Sequence, residues 1–280
     1  MRLMKQRRGY FLAAAAAGIV IFAVSCTNLT AVREWSKTSV EATQYDEIVA
    51  TYADTPQRLK RYDPSGPWED QIALRKNQAA ALSQILSVVS DYMAALATLS
   101  GDSLIDYKKD VDALTSGLGK LNAGISTETI GAVGSLVKTI LGASAKLYQA
   151  RQVSIIVERA NAPLQVILAG ELRQIVDQDF RRDLKIERTF LDRYYDSQLQ
   201  TGSASDAAKI ALGEWKEVRL EQNAEHVKAI DAYLEVLDNV SEGHQQLYNH
   251  RNKLDAKTLT KDLYSLTMQL RKQIKILIKS

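Results

Sequence analysis

Residues 67–99 read PWEDQIALRKNQAAALSQILSVVSDYMAALATL, and this stretch decides the fold. Pro67 suits the first turn of a helix, and Glu69 and Asp70 suit its positive end. Thirty residues rich in Ala, Leu and Val then follow without a proline or a glycine. A run that long, at helical apolar spacing, predicts a helix of about 50 Å at 1.5 Å per residue. Gly101-Asp102-Ser103 ends it and caps the next element.

Working outward, the apolar spacing stays helical. Val32, Trp35, Val40, Ile48, Val49 and Tyr52 predict a first helix from about Thr30 to Ala53. Pro56, Pro64 and Pro67 are three of only four prolines in 280 residues. They predict a loop from Thr55 to Pro67. Leu104, Val111, Leu118 and Ile125 recur every seven residues, with Tyr107, Leu114 and Leu121 between them, as a coiled-coil seam requires. A fourth helix is expected over Ser126–Ala160, with a boundary or kink at Asn161-Ala162-Pro163. A fifth runs to about Gln200 on Leu164, Leu168, Leu172, Ile175, Phe180, Leu184 and Leu191. Residues 201–206 read as a turn and cap. A sixth helix reaches about Arg251, with an interruption possible at Gly243. A last one, capped by Asp255, carries Leu259, Leu263, Leu266, Leu270, Ile274 and Leu277. No stretch alternates at period two long enough for a strand. The expected fold is all-α: an elongated antiparallel helical bundle with coiled-coil-like packing, one domain over 31–280.

The N-terminus carries Arg2, Lys5, Arg7 and Arg8, then an apolar run from Tyr10 to Val24. Charge followed by about 15 apolar residues is the pattern of a secretory signal peptide, too short for a permanent span. The run ends in Ala23-Val24-Ser25-Cys26, which resembles the lipobox of bacterial lipoproteins. That resemblance implies cleavage after residue 25 and diacylglyceryl transfer to Cys26, the only cysteine of the chain. Residues 26–30 would then be a lipidated tether. Within that family Asp at the next position commonly holds the protein in the inner membrane. Thr27 therefore implies the outer membrane, facing the periplasm, or a cell surface. Multiple acyl chains make such an anchor effectively permanent.

Charge follows the same division. The chain holds 36 Lys+Arg and 33 Asp+Glu; four of the cations fall in residues 1–25, leaving 32 − 33 = −1 beyond them. The basicity belongs to the leader, so no nucleic-acid partner is expected.

No P-loop, dinucleotide fingerprint, G-x-S-x-G elbow or HExxH motif is present, so no cofactor and no catalytic residue are expected. His226, His244 and His250 lack the Glu-x-x-His spacing of a di-iron bundle, and no metal site is expected. Glu242, His244 and His250 read as solvated residues near a helix break. Asp177, Asp179, Asp183 and Glu187, alternating with Arg181, Arg182, Lys185 and Arg188, read as a salt-bridged exposed face.

Three segments remain as candidate contacts. Arg58, Lys60, Arg61, Tyr62 and Trp68 lie in the expected loop and combine cations with hot-spot aromatics, so they are the preferred surface for a protein partner in the envelope. Thr129–Ala145 has one charge, Lys138, with Gly131 and Gly134 a turn apart. The whole segment Gly117–Ala145, of which this is the charge-poor part, reads as a close-packed central helix or as an apolar hairpin that enters lipid. Lys272, Lys275 and Lys279 end a basic amphipathic segment, which complements the helix dipole or docks on anionic lipid. The functional expectation is a non-enzymatic helical binding or structural module: an assembly factor, an adaptor or an inhibitor. A membrane-perturbing bundle and an envelope enzyme are the rival classes.

Overall fold

The computed structural model describes residues 29–101, 124–143, 149–201 and 205–279. The leader, Cys26 and most of the heptad seam (Leu104 to Leu121) lie outside these residues. Among the described residues every regular element is helical: α1 (Thr30–Thr43), α2 (Asp46–Tyr62), α3 (Trp68–Leu99), α4 (Thr127–Leu141), α5 (Gln149–Gln165), α6 (Arg181–Gln200), α7 (Asp206–Asn249) and α8 (Lys257–Leu277). Between α5 and α6 the same rod continues through two π-helical stretches, Val166–Leu172 and Gln174–Phe180. The all-α bundle expected from sequence is what the chain forms.

α3 has the expected bounds. Its 32 residues form the central rod, and Ala81, Ile85, Val89, Tyr92, Met93 and Leu96 are fully enclosed. By length and composition it could cross a bilayer, but 67% of its most apolar window is buried in the bundle. α1 and α2 pack on α3, α8 packs on α1 and α7, and α7 pairs with α6 and α5. α1 runs in the same direction as α8: the Tyr45 hydroxyl donates to the Leu277 carbonyl, while Thr30 faces Asp255 and Thr260 at the other end.

Several boundaries differ from expectation. The first helix breaks at Gln44-Tyr45, and its second half continues through Pro56 to Tyr62. The expected loop therefore shrinks to Asp63–Pro67. Proline removes one backbone donor and crowds the preceding turn. Side chains brace the adjoining carbonyl: Thr55 Oγ1 and Arg58 Nη1 both donate to Thr51 O, each at 3.0 Å. Pro163 likewise sits inside α5, and the buried row Leu164, Leu168, Leu172, Ile175, Phe180 continues past it. Burial of that apolar row outweighs the one backbone bond proline forfeits.

The expected interruption at Gly243 is absent, since α7 runs 44 residues unbroken, about 66 Å. Gly243 has a packing role. A Cβ there would lie 2.5 Å from Nε1 and Cζ2 of Trp35, so the glycine is the notch that admits the fully buried indole. Residues 202–204 of the expected turn lie outside the described residues; the cap that follows is Ser205, whose hydroxyl accepts from the Ala208 amide at 3.3 Å. Asp255 is not the cap of α8; that place belongs to Ala256, without a side-chain cap bond.

α4 corrects the reading of Gly131 and Gly134. A Cβ on either would meet nothing within 4 Å, so neither mediates a close approach to another described helix. α4 is a surface helix that buries Ala132, Val133, Leu136, Val137 and Ile140 on the bundle. Both glycines lie outside that buried row.

Candidate functional site

Three constellations concentrate the polar chemistry. The first joins α2 and α3 to the start of α6. Arg58 makes a two-pronged contact with Glu187, Nε to Oε1 at 2.6 Å and Nη2 to Oε2 at 3.0 Å. Its remaining donors reach Thr51 O and Thr55 Oγ1. One turn away, Arg75 Nη2 lies 2.5 Å from Asp183 Oδ2 and its guanidinium sits 4.3 Å over the Tyr52 ring. Arg75 also donates to the Tyr52 hydroxyl and to Gln78. Burial pushes the Asp183 carboxyl up, opposed by Arg75. Burial likewise raises the Tyr52 hydroxyl to about 12. Asp183 and Glu187 are thus buried, contrary to the exposed face expected of them. Asp177 and Asp179 do form the expected surface pairs with Arg181 and Arg182. Every charge in this layer is matched, so it ties helices together.

The second constellation is a buried histidine. His244 is fully enclosed, not solvated at a helix break. Its Nδ1 lies 2.9 Å from Asn161 Oδ1, which can only accept, so Nδ1 carries the proton. Nε2 then accepts from the Tyr92 hydroxyl at 2.7 Å. Burial drives the imidazole down to about 3, which keeps it neutral. Asn161 also donates to Gln245, and Gln165 exchanges bonds with Ser241. The outcome is a satisfied polar latch across α3, α5 and α7. His226 differs: its Nδ1 is buried without a hydrogen-bond partner among the described residues. It borders a cavity of about 10 Å³, room for one water, beside Tyr45, Glu47 and Phe180. Burial lowers this imidazole, helped by Arg58. No group of three or more metal-ligating side chains occurs among the described residues.

The third is a surface. α6 and the first half of α7 form a two-helix arm, clamped by Lys216 to Asp192 (3.2 Å) and Asp196 (2.8 Å). Near its base Phe190 packs edge-on to Trp68, and Tyr62 meets Tyr194 and Tyr195. From Asp206 to Gln222 no residue is buried. Ile210 is 66% exposed, Trp215 61% and Val218 49%. These large side chains stand open to solvent on the outer side of the helix, which is uncommon for apolar groups of this size.

The five residues expected to form a loop surface are dispersed. Arg58 is turned inward onto Glu187. Trp68 is buried with Leu59 and Ile72 and donates to the Asp63 carbonyl. Lys60 pairs with Glu69, Tyr62 stacks on the α6 tyrosines, and Arg61 stays exposed. Gly131 and Lys138 lie on the open face of α4, and Lys272, Lys275 and Lys279 are exposed on or just beyond α8. Sequence reading passed over the arm because balanced charge around Trp215 (Glu214, Lys216, Glu217, Arg219) looks like any solvated helix. No protein-family model, curated protein or solved structure matches this chain.

Proposed function

We propose that the chain is a lipid-anchored envelope protein whose bundle presents the α6–α7 arm to a protein partner, without catalysis of its own. The observation that carries the recognition half is the unburied run Asp206–Gln222 with Ile210, Trp215 and Val218 outward. An apolar helix face of this kind fits a groove or a second helix on a partner. The anchoring half rests on Ala23-Val24-Ser25-Cys26, which resembles a lipobox; on this reading the protein sits at the outer membrane facing the periplasm or at a cell surface. The interior polar groups serve packing: Arg58–Glu187, Arg75–Asp183 and Tyr92–His244–Asn161 each bind one helix to another.

The test is affinity purification from the native envelope. The unaltered chain should recover a stoichiometric partner, and the pair Trp215→Ser and Val218→Ser should lose it while the thermal midpoint stays unchanged. Both side chains are exposed, so the folded state has little to lose. Retention of the partner by the double variant refutes the arm as the contact. Mass analysis of the N-terminal peptide decides acylation at Cys26.

A further inference from the structure

α8 carries an unpartnered face of a different kind. At 100° per residue, Lys257, Lys261, Tyr264, Met268, Arg271, Lys272 and Lys275 fall within about 120° of arc. Ile278 and Lys279, in the turn that ends the helix, continue the same line. All nine are exposed, Tyr264 at 67% and Ile278 at 74%. No carboxylate of α8 lies in the arc, because Asp262 projects to the flank. Glu34 of α1 meets Arg271 at the edge, 4.0 Å away. Among the described residues no carboxylate pairs with Lys257, Lys261, Lys272, Lys275 or Lys279. The other side of the helix buries Leu259, Leu263, Leu266, Leu270 and Leu277 in the bundle. Two opposed faces therefore exist: one leucine-rich and docked, one cationic with Tyr, Met and Ile among its lysines.

From this face we infer that α8 lies along an anionic phospholipid bilayer. Long lysine stems cover apolar surface while their ammonium groups stay in water at the headgroups. Tyr and Met at the centre of a cationic stripe match the chemistry of a helix lying in the interface plane. Attraction to anionic lipid is worth about fivefold in partitioning per cation close to the surface, and five cations here have no internal competitor. The geometry agrees with the anchoring reading, on which this inference builds. α1 starts beside α8: Thr30 and Ala31 share a groove with Asp255, Thr260 and Tyr264. Cys26 is three residues before Leu29, at most about 10 Å of chain. An acylated Cys26 would thus hold the first turns of α8 at the bilayer, and the stripe would lay the remaining turns down.

A lysine footprint on the full chain tests this. The protein is reconstituted into vesicles of phosphatidylcholine alone or with phosphatidylglycerol added, acetylated with an amine-reactive reagent, and read lysine by lysine by mass spectrometry. Acetylation of Lys257, Lys261, Lys272, Lys275 and Lys279 should fall several-fold only with the anionic lipid and recover in high salt. Lys209 on the arm and Lys228 should not change. Equal rates in the two vesicles, or protection spread evenly to Lys209 and Lys228, overturns the inference. So does equal protection by soluble polyglutamate, which would mark the stripe as a site for an acidic protein. The same spectra report the mass of the Cys26 peptide, so an unacylated cysteine with a protected stripe would sink the anchor and leave the docking face standing.

Discussion

Gly243→Ala adds one methyl group to a helix, a change that in open surroundings stabilises. Here it should do the reverse. Alanine is favoured over glycine in a helix interior by about 1 kcal/mol. Against this, the new Cβ would stand 2.5 Å from Nε1 and Cζ2 of Trp35, so the indole must retreat by about 1 Å to reach ordinary contact. That ring is rigid and fully buried, and overpacking of a dense core costs about 1–3 kcal/mol, with this geometry at the upper end. The net loss is about 2 kcal/mol, or a fall of about 4–8 °C in Tm for a domain of this size. The control is Gly213→Ala in the same helix, where a Cβ meets nothing within 4 Å; it should raise Tm by a few degrees. In a Trp35→Leu background the space opens and Gly243→Ala should change sign and stabilise. Thermal and urea unfolding followed by circular dichroism at 222 nm reads the unaltered chain and all four variants. If Gly243→Ala is as stable as Gly213→Ala, or if Trp35→Leu leaves its effect unchanged, the notch is not what the glycine is for.

Breaking the Arg58–Glu187 pair by Glu187→Ala should cost about 3 kcal/mol or more, because it strands a buried guanidinium. The double variant Arg58→Ala, Glu187→Ala should lose clearly less than the sum of the singles, and additive losses in urea unfolding would argue against coupling. His244 should give stability a pH dependence of known sign. The unfolded imidazole binds a proton near pH 6.5 and the folded one resists until about 3. Its contribution is complete above about pH 6.5 and is lost as pH falls through that window, by about 2 kcal/mol between pH 7 and pH 5. Unfolding free energies at the two pH values should show that loss in the unaltered chain and a smaller one in His244→Gln; equal slopes would count against a histidine held neutral.

Where sequence reading succeeded, the signal was local. α3 needed only thirty breaker-free residues, and the buried row Leu164 to Leu191 needed only its 3.6-residue period, which survives Pro163 and the π-helical turns. Where it failed, the deciding partner lay far along the chain. Proline at 56 looks like a loop until Arg58 is seen to hold the Thr51 carbonyl and reach Glu187, 129 positions away. His244 looks solvated until Tyr92, 152 positions away, supplies its hydrogen bond. Gly243 looks like a break until Trp35 fills the place of its side chain.

The same contrast explains why the two surfaces were legible to different degrees. Lys272, Lys275 and Lys279 stand out in sequence because their like charges are not offset nearby, and among the described residues folding pairs none of the three with a carboxylate; Glu34 meets Arg271 at the edge of the stripe. Trp215 and Val218 sit among four balanced charges, and their helical period is that of many buried rows. Only the three-dimensional fact that no residue from Asp206 to Gln222 is buried separates an exposed apolar face from a core one. A helix that is apolar outward gains nothing for the monomer, since its hydrophobic free energy is realised only when a partner removes that surface from water. The stability of the isolated bundle should therefore be indifferent to Trp215, while the proposed binding should depend on it. That separation distinguishes a recognition arm from a poorly packed helix.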